Sequence, residues 1–387
     1  MDIFNAYEVA EKIMEAIKKE CESLETLNVM ILGKTGVGKS TLINNMFNEK
    51  LAETGVGKPV TDEIRIKTKP NFPLAIYDTP GLELSGENAV DLLLKEVTQE
   101  IDKGIKSGNI SNAIHCIWYC ISTPSHRIEQ AEIDFLERFS EETSEYNIPV
   151  IVVLTQSYSN SDAKALKKEI EKENLPIVNI VTVLAENYEI DEEYTRKAYG
   201  LDTLSEVMNS VIPEAVQKTF VAVQKANLEL KKVKAQAVVA TSAAAAAVTG
   251  AVSIPFSDAA ILVPEQIAML GAITAVFGIQ IEKATIAAIL SSTIGTAGTT
   301  VLGRTIVSNL IKFIPVVGSA TGGVISGATA AALTTALGEA YIIIMTMVYK
   351  GELSIIDLST DKGKAIIKQI FNEKLKIKRN NNGQPIE

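Results

Sequence analysis

The stretch of sequence that decides the fold of this chain is Gly33-Lys34-Thr35-Gly36-Val37-Gly38-Lys39-Ser40. It matches the pattern G-x-x-x-x-G-K-[ST], in which glycines let the backbone wrap and point its N–H groups at a phosphate. The match lies between an apolar run, Val29–Leu32, and a helical pattern, Thr41–Phe47, which is the strand–loop–helix context that the motif requires. The sequence therefore predicts a phosphate-binding loop at the N-terminus of a helix.

Each residue type in this loop has a predicted role in binding a Mg²⁺–nucleotide. We predict that Lys39 bridges the β- and γ-phosphates, which also makes it a catalytic residue, and that the Ser40 hydroxyl ligates Mg²⁺. Thr41 is placed to reach the α-phosphate. The remaining nucleotide-binding positions in the loop are Gly33, Thr35, Gly36, Val37 and Gly38.

A second motif, Asp78-Thr79-Pro80-Gly81, ends the apolar run Leu74–Tyr77. At the end of a strand, Asp78 is predicted to hold Mg²⁺ through water, and the Gly81 N–H to contact the γ-phosphate. Between the two motifs, Thr61 is the best candidate for a threonine that closes on both Mg²⁺ and the γ-phosphate, with Thr54 and Thr68 as alternatives. Thr61 and Gly81 are therefore predicted to be catalytic, and Ser40, Thr61 and Asp78 to form the metal site.

Short apolar runs alternate with helical patterns along the first half of the chain, and this is typical of a parallel sheet covered by helices. Such α/β folds bind ligands at the carboxyl ends of their strands, where both motifs fall. The strand candidates are Leu27–Leu32, Ile64–Thr68, Leu74–Tyr77, Ala113–Ile121, Val150–Leu154 and Ile177–Val183.

The region from Ala235 to Tyr349 has a different composition. It is rich in Ala, Gly, Ser and Thr and poor in charged residues. In a soluble domain, about a quarter of the residues are charged. Its only charged residues are Asp258, Glu265, Glu282, Lys283, Arg304, Lys312 and Glu339. Its apolar runs are Ala235–Ile254, Ile267–Ile281, Ala284–Gly303 and Phe313–Gly338, and all but the second are long enough to cross a bilayer. Recurrent small residues would let these helices approach closely.

Composition and periodicity divide the chain into four parts. We predict an amphipathic leader helix over residues 1–25 and a phosphate-loop domain over residues 26–215. We expect the leader helix to pack on the domain that follows it, with the surface of a membrane as the alternative. An all-helical, Ala/Gly-rich domain over residues 216–350 and a soluble tail over residues 351–387 complete the chain.

The charge balance and the cysteines limit the classes of partner and compartment. The net charge is −10 and the pI is near 5.1, and phosphate neutralisation needs clustered Lys and Arg, so we expect no nucleic-acid partner. The three cysteines form no paired framework. Together with a nucleotide site, they predict a cytoplasmic protein or one at the cytosolic face of a membrane.

The segments GKTGVGKSTLIN and DTPG, with the strand Ile114–Cys120, resemble the translation-factor-related GTPases, in particular Era-like, septin-like and immunity-related GTPases. The later segment Pro255–Ala260, with Pro264 and Gly303-Arg304, resembles a helical domain of unknown function that is fused to some bacterial Era-like GTPases. The resemblance implies a Ras-like P-loop GTPase domain followed by a helical domain, with GTP and Mg²⁺ as cofactors.

Relatives of this kind read guanine with [N/T]-K-x-D, and the corresponding residues here are Thr155, Gln156, Ser157 and Tyr158. By this resemblance Thr155 and Gln156 are nucleotide-binding, with the Gln156 stem over the base, and the backbone N–H of Ala185 meets the base. No acid stands at position 158, although Asp162 lies four residues on. Since discrimination depends on buried polar pairing, this departure predicts weaker rejection of adenine.

A second departure concerns hydrolysis. Ras-like enzymes orient the attacking water with a glutamine after D-x-x-G, where this chain has Leu82. We therefore expect slow turnover. The leading hypothesis is a GTP-driven switch whose helical domain binds membrane lipid or self-associates, as the GTPase domain also could. The alternatives are a soluble regulator with a compact helical bundle and a nucleotide-binding scaffold with little hydrolysis.

Overall fold

The structure is a computed structural model of the 387-residue chain. It describes residues 6–48, 64–69, 72–79, 89–251, 254–255, 263–294, 324–325 and 327–377. The chain divides into two compact units. One unit is Leu24–Asn227, and the other combines Met1–Ser23 with Leu228–Glu387.

The unit Leu24–Asn227 is an α/β domain built on a six-stranded sheet with strand order β2-β3-β1-β4-β5-β6. Its strands are β1 (Leu27–Leu32), β2 (Arg65–Lys69), β3 (Phe72–Asp78), β4 (Cys116–Ser122), β5 (Val150–Thr155) and β6 (Asn179–Thr182), with a small hairpin of β7 (Tyr188–Glu189) and β8 (Thr195–Arg196). Its helices are α2 (Lys39–Met46), α3 (Ala89–Lys106), α4 (Gln130–Glu142), α5 (Asn160–Lys172), α6 (Leu201–Val211) and α7 (Glu214–Val223).

The sequence pattern of the central strands reflects their burial. Every residue of β1 and β5 is buried, including the polar Asn28 and Thr155, so these mostly apolar strands show no alternation of apolar and polar residues. The strands pair in parallel except for β2, which runs antiparallel to β3. Only residues 70 and 71 separate β2 from β3, and a parallel pair needs a crossover of a dozen or more residues. The predicted parallel sheet is therefore mixed at this edge, while the Ras-like α/β fold is confirmed.

The second unit is helical, with one short strand pair. Its elements are α1 (Ala6–Glu22), α8 (Leu228–Ala251), β9 (Ile254–Pro255), α9 (Val263–Phe277), α10 (Lys283–Ile294), β10 (Val324–Ile325), α11 (Gly327–Tyr349) and α12 (Asp361–Ile377). Helices α8 and α11 approach closely because α11 carries Gly338, where a Cβ would come 2.4 Å from a methyl group of Val239. The predicted helical, Ala/Gly-rich domain is present in the structure.

The observed units differ from the predicted domain boundaries at three places. The leader helix α1 belongs to the helical unit, where Val9, Ala10 and Ile13 join the core formed by α9 and α10, so the expectation that it packs on the phosphate-loop domain is wrong. Helix α7 (Glu214–Val223) extends past the predicted boundary at residue 215 and packs on β1 and β3 of the α/β domain. Helix α12 packs on α10 and α11 and is part of the helical core, not a separate tail.

One lysine lies inside this helical core. Lys231 of α8 is fully buried and donates a hydrogen bond to the Val276 carbonyl at 3.0 Å. Its ammonium also lies over the Tyr349 ring, 5.6 Å from the centroid. Burial lowers the pKa of the Lys231 amine from 10.5 to about 7.

Within the part of the chain that the structure describes, one helical segment, Ala330–Tyr349, is long and apolar enough to cross a bilayer. More than half of its most apolar window is buried against the rest of the protein. A core helix of a soluble protein has the same length and composition, so these properties alone do not decide between a membrane span and a packed bundle.

Candidate nucleotide-binding site

The phosphate loop connects β1 to α2 and lies against the end of β4. Gly33 has a φ of 134°, and a Cβ at this position would come 2.3 Å from the Cys120 carbonyl oxygen. Gly38 has a φ of 90° and caps the N-terminus of α2. Because both positions have left-handed φ values, the motif's glycines are required by the backbone path. The loop therefore opens at the N-terminus of α2, as the sequence predicts.

Lys39 lies in the first turn of α2 and reaches back over the loop. Its Nζ donates hydrogen bonds to the carbonyls of Gly33, at 2.6 Å, and Lys34, at 3.0 Å. Burial lowers the pKa of the Lys39 amine, and the nearby Asp78 carboxylate acts in the opposite direction. The amine is thus held at the loop by acceptors, in the place where a phosphate group would accept the same hydrogen bonds. Ser40 and Thr41 follow it in the same helical turn.

Asp78 ends β3 beside the phosphate loop, since its Cα pairs with that of Ile31 in β1. One carboxylate oxygen, Oδ2, accepts a hydrogen bond from the Lys67 Nζ at 2.5 Å. The other, Oδ1, is buried and has no hydrogen-bond partner. The next residue, Thr79, donates through both its backbone N–H and its hydroxyl to the Ile31 carbonyl, which fixes the end of the strand.

The residues at this point fit Mg²⁺. The ion prefers hard oxygen ligands and is usually bound through one or two carboxylates or hydroxyls, waters and substrate phosphates. A buried carboxylate oxygen without a partner is costly unless a cation or donor satisfies it, and Asp78 Oδ1 is such an atom. Lys67, on the neighbouring strand β2, supplies a positive charge to the same carboxylate.

We expect Lys67→Ala to raise the affinity of the nucleotide complex for Mg²⁺ by roughly 3- to 10-fold, because a partly buried ion pair no longer competes for Asp78. Titration of the GDP complex with Mg²⁺ measures this. Arg65→Ala removes a positive charge from the same strand at an exposed position, and it is expected to change the Mg²⁺ affinity little. Equal increases in Mg²⁺ affinity for the two variants would mean that the effect comes from the net charge and not from the ion pair between Lys67 and Asp78.

The opposite side of the loop contacts the end of β5. The Thr155 hydroxyl is buried and donates to the carbonyls of Val37, at 2.5 Å, and Ile121, at 3.1 Å. Gln156 has a left-handed φ of 51°, which turns its side chain over the loop. Its Nε2 donates to the Gly36 carbonyl at 3.0 Å, and its Oε1 accepts from the Ser122 hydroxyl at 2.6 Å. Thr155 and Gln156 therefore position the phosphate loop, a role in addition to the predicted contact with the nucleotide.

An open pocket of about 80 Å³ adjoins this side of the loop. It is lined by Gly38, Thr41, Thr155, Gln156, Tyr158, Val183, Leu184, Ala185, Glu186 and Tyr188. The predicted positions Gly38, Thr41, Thr155, Gln156 and Ala185 thus meet in one pocket.

Part of the predicted site lies outside the residues that the structure describes. These residues are Thr61 and Gly81, with Thr54 and Leu82, whereas the alternative Thr68 is an exposed residue of β2. Sequence reasoning missed Lys67, because in the alternating pattern of an edge strand this lysine looks like an ordinary solvent-exposed residue. It also missed Glu186 and Tyr188, although both follow soon after the predicted base-contacting residue Ala185.

The sheet order, the loop at the N-terminus of α2 and the aspartate at the end of β3 together define a P-loop GTPase domain. A family model described as Septin matches residues 24–234, which is more than half of the chain. The chain belongs to the septin family.

Individual relatives are distant and match over limited lengths. Neuronal-specific septin-3 of Danio rerio is 25% identical over 178 residues, covering 40% of this chain and 48% of that protein. Septin-9 of Rattus norvegicus is 29% identical over 136 residues, covering 29% of this chain and 24% of that protein. The match thus spans half the length of these relatives or less.

Among solved structures, Era in complex with MgGDPNP and nucleotides 1506–1542 of 16S ribosomal RNA is similar at 22% identity and a TM-score of 0.34, over 49% of this chain and 58% of that one. The RNA belongs to that complex, and the expectation that the present chain binds no nucleic acid stays a prediction. The septin match ends at residue 234, so the resemblance of the later region to the helical domain of bacterial Era-like GTPases also stays a prediction.

Proposed function

We propose that this chain is a Mg²⁺-dependent, GTP-binding switch protein of the septin family that hydrolyses GTP slowly. The observation that carries the proposal is the loop geometry, in which the Lys39 ammonium donates to two carbonyls of the loop near the Asp78 carboxylate, one of whose oxygens has no hydrogen-bond partner. Ser40 and Asp78 would hold Mg²⁺, with Thr61 as a third ligand. Bound there, the ion would neutralise phosphate charge, while the loop amides and Lys39 orient the phosphates.

Slow hydrolysis is proposed because Leu82 occupies the position of the glutamine that orients water in Ras-like enzymes. The test is a binding titration of the full chain with GTP, with and without chelation of Mg²⁺, followed by single-turnover hydrolysis. We expect saturable binding that weakens on chelation, and a single turnover far slower than in enzymes with the glutamine. Failure to bind GTP would overturn the proposal. Binding without any turnover would favour the scaffold hypothesis.

For the helical unit we propose association with membrane lipid or with further copies of the chain, at the cytosolic face of a membrane. The scarcity of charge from Ala235 to Tyr349 supports this, as does the apolar segment Ala330–Tyr349. Membership of the septin family supports self-association.

A second candidate, a soluble regulator with a compact bundle, is favoured by a specific observation. The amphipathic helices α1 and α12 cover the apolar helices, with Val9, Ile13, Ile367 and Phe371 buried in the same core as residues of α11. Charged ends of these helices also pair with the apolar ones, as Lys374 does with Glu339 at 3.3 Å.

Gel filtration of the full chain without detergent separates the two candidates. Membrane insertion predicts that the chain needs lipid or detergent and stays in the membrane pellet after high salt and carbonate. A sharp peak of a monomer or small oligomer in plain buffer would overturn membrane insertion. A concentration-dependent shift to larger species, sensitive to GTP, would support self-association.

A further inference from the structure

Two tyrosine rings form one wall of the pocket beside the phosphate loop. The rings of Tyr158 and Tyr188 lie with their centroids 4.2 Å apart, at an interplanar angle of 41°. Tyr158 follows β5 and Tyr188 begins the β7–β8 hairpin, so the pair joins two segments that are distant in sequence. Burial raises the pKa of the Tyr158 hydroxyl, with Tyr188 and Glu186 as further causes.

Backbone hydrogen bonds hold this wall in place. The backbone N–H groups of Leu184 and Tyr199 donate to each other's carbonyls at 3.0 Å, and the Asn187 side chain accepts from the Ala198 N–H at 2.9 Å. The Tyr199 hydroxyl donates to the Ser157 carbonyl at 2.8 Å, which ties the segment after β6 to the segment after β5. These hydrogen bonds therefore fix the positions of the residues between Leu184 and Tyr199, although many of these residues are exposed to solvent.

Glu186 is the one acidic residue among those that line the pocket. Asp162, the acid that the sequence places nearest to the base-reading segment, does not line the pocket. It lies in the first turn of α5, where its backbone N–H donates to the Ser159 hydroxyl. In the part of the chain that the structure describes, no hydrogen bond or ion pair engages the Glu186 carboxylate, so it is available to a ligand.

The chemistry of a carboxylate at this place selects one purine. Guanine presents two adjacent donors, N1–H and the N2 amino group, which match the two oxygens of a carboxylate. Adenine presents an acceptor at N1, and xanthine presents an acceptor at the 2-position, so each would face a carboxylate with a repulsive lone pair. Specificity of this kind comes from the mismatched pairing as much as from the matched one.

We propose that Glu186 reads the guanine base in this protein, in place of the aspartate that related GTPases carry at the position of Tyr158, with Tyr158 and Tyr188 as the aromatic wall beside it. The proposal rests on the proposed function, because it assigns the base-reading residue of the same nucleotide site. It differs from the sequence-based expectation, since a carboxylate from the loop after β6 restores the pairing that position 158 lacks.

The test is competition binding of GDP, XDP and ADP to the full-length chain and to variants of Glu186. Wild-type protein is expected to prefer GDP. Glu186→Gln should lower GDP affinity about 10- to 100-fold, the range of one or two charged hydrogen bonds, and raise XDP affinity, because an amide accepts from N1–H and donates to the 2-oxygen. Glu186→Ala should lower GDP affinity without any gain for XDP. ADP affinity should rise or stay unchanged in both variants.

Glu189→Gln is the matched control, since Glu189 is an exposed acid of β7, three residues after Glu186, that does not line the pocket, and it should leave the preference unchanged. If Asp162→Asn shifts the preference from GDP to XDP and Glu186→Gln does not, the proposal is overturned in favour of Asp162. Equal loss of all three nucleotides in Glu186→Gln also overturns it. A wild-type chain that binds none of the three would overturn the proposed function itself.

Discussion

Lys39→Ala is expected to lower the affinity of the chain for GTP and GDP by roughly 30- to 1000-fold, which corresponds to about 2–4 kcal/mol. The amine now shared by the Gly33 and Lys34 carbonyls would instead donate to phosphate oxygens, and charge-assisted hydrogen bonds are among the strongest that a protein makes. Its loss would leave phosphate charge unpaired in the site. Isothermal titration with the Mg²⁺–nucleotide measures the effect.

Lys34→Ala provides a control within the same loop. The Lys34 ammonium pairs with Glu129 of the α4 cap at 2.7 Å and with Glu132 at 3.5 Å. We expect this replacement to change nucleotide affinity several-fold at most. Wild-type affinity in Lys39→Ala, with the fold intact by circular dichroism, would mean that the loop does not bind phosphate as the motif predicts.

The second large effect is expected in the helical unit, where Lys231→Met should stabilise the protein by roughly 2–4 kcal/mol at neutral pH. Burial depresses the folded-state pKa of the Lys231 amine to about 7, below its ordinary value of 10.5. Between these two values the unfolded chain binds more protons than the folded one, so wild-type stability rises with pH from about 7 toward 10.5. Below pH 7 the cost of burying the charge is fully present.

Hydrogen exchange of α8 and α11 in the full-length chain tests this prediction. After correction for intrinsic exchange, the free energy of opening of these helices should rise with pH in the wild type and stay level in Lys231→Met. Peptides from the α/β domain serve as an internal reference. Lys232→Met is the matched variant, because Lys232 pairs with Glu229 at the surface at 2.8 Å and should show no such change. If Lys231→Met is less stable than the wild type at every pH, the hydrogen bond to the Val276 carbonyl and the contact with the Tyr349 ring stabilise the folded protein by more than burial of the amine costs.

The sequence locates the α/β domain well where one apolar run corresponds to one buried strand. Strand β1 has the predicted bounds, and β5 differs by one residue, because both are buried on both faces. Strand β4 begins at Cys116, later than the predicted Ala113, because Ala113 caps a turn of 3₁₀ helix, Ile110–Asn112. The Asn109 side chain fixes this turn by accepting a hydrogen bond from the Ser111 N–H, a local contact that the apolar pattern of the following residues does not show.

The sequence alone does not show which elements of the fold pack against each surface. The periodicity of α1 shows that one face is apolar, yet nothing in that periodicity says that α9 and α10 cover it. In the same way, Glu186 is an ordinary acid in the sequence and becomes a pocket residue only because β5 and β6 end side by side. The motif residues could be predicted because their backbone path is fixed locally by glycine, whereas these two depend on tertiary contacts.

Because α1 belongs to the helical unit while Leu24–Asn227 forms the α/β domain, the α/β domain is an insertion within the helical one. During synthesis, α1 leaves the ribosome before α9 and α10, and its apolar residues Val9 and Ile13 lack these packing partners until both helices have followed. The α/β domain, in contrast, has all of its strands once Asn227 has emerged. A nascent chain that stops at this point would therefore present a finished nucleotide site joined to an uncovered apolar helix, which is the form that chaperones recognise.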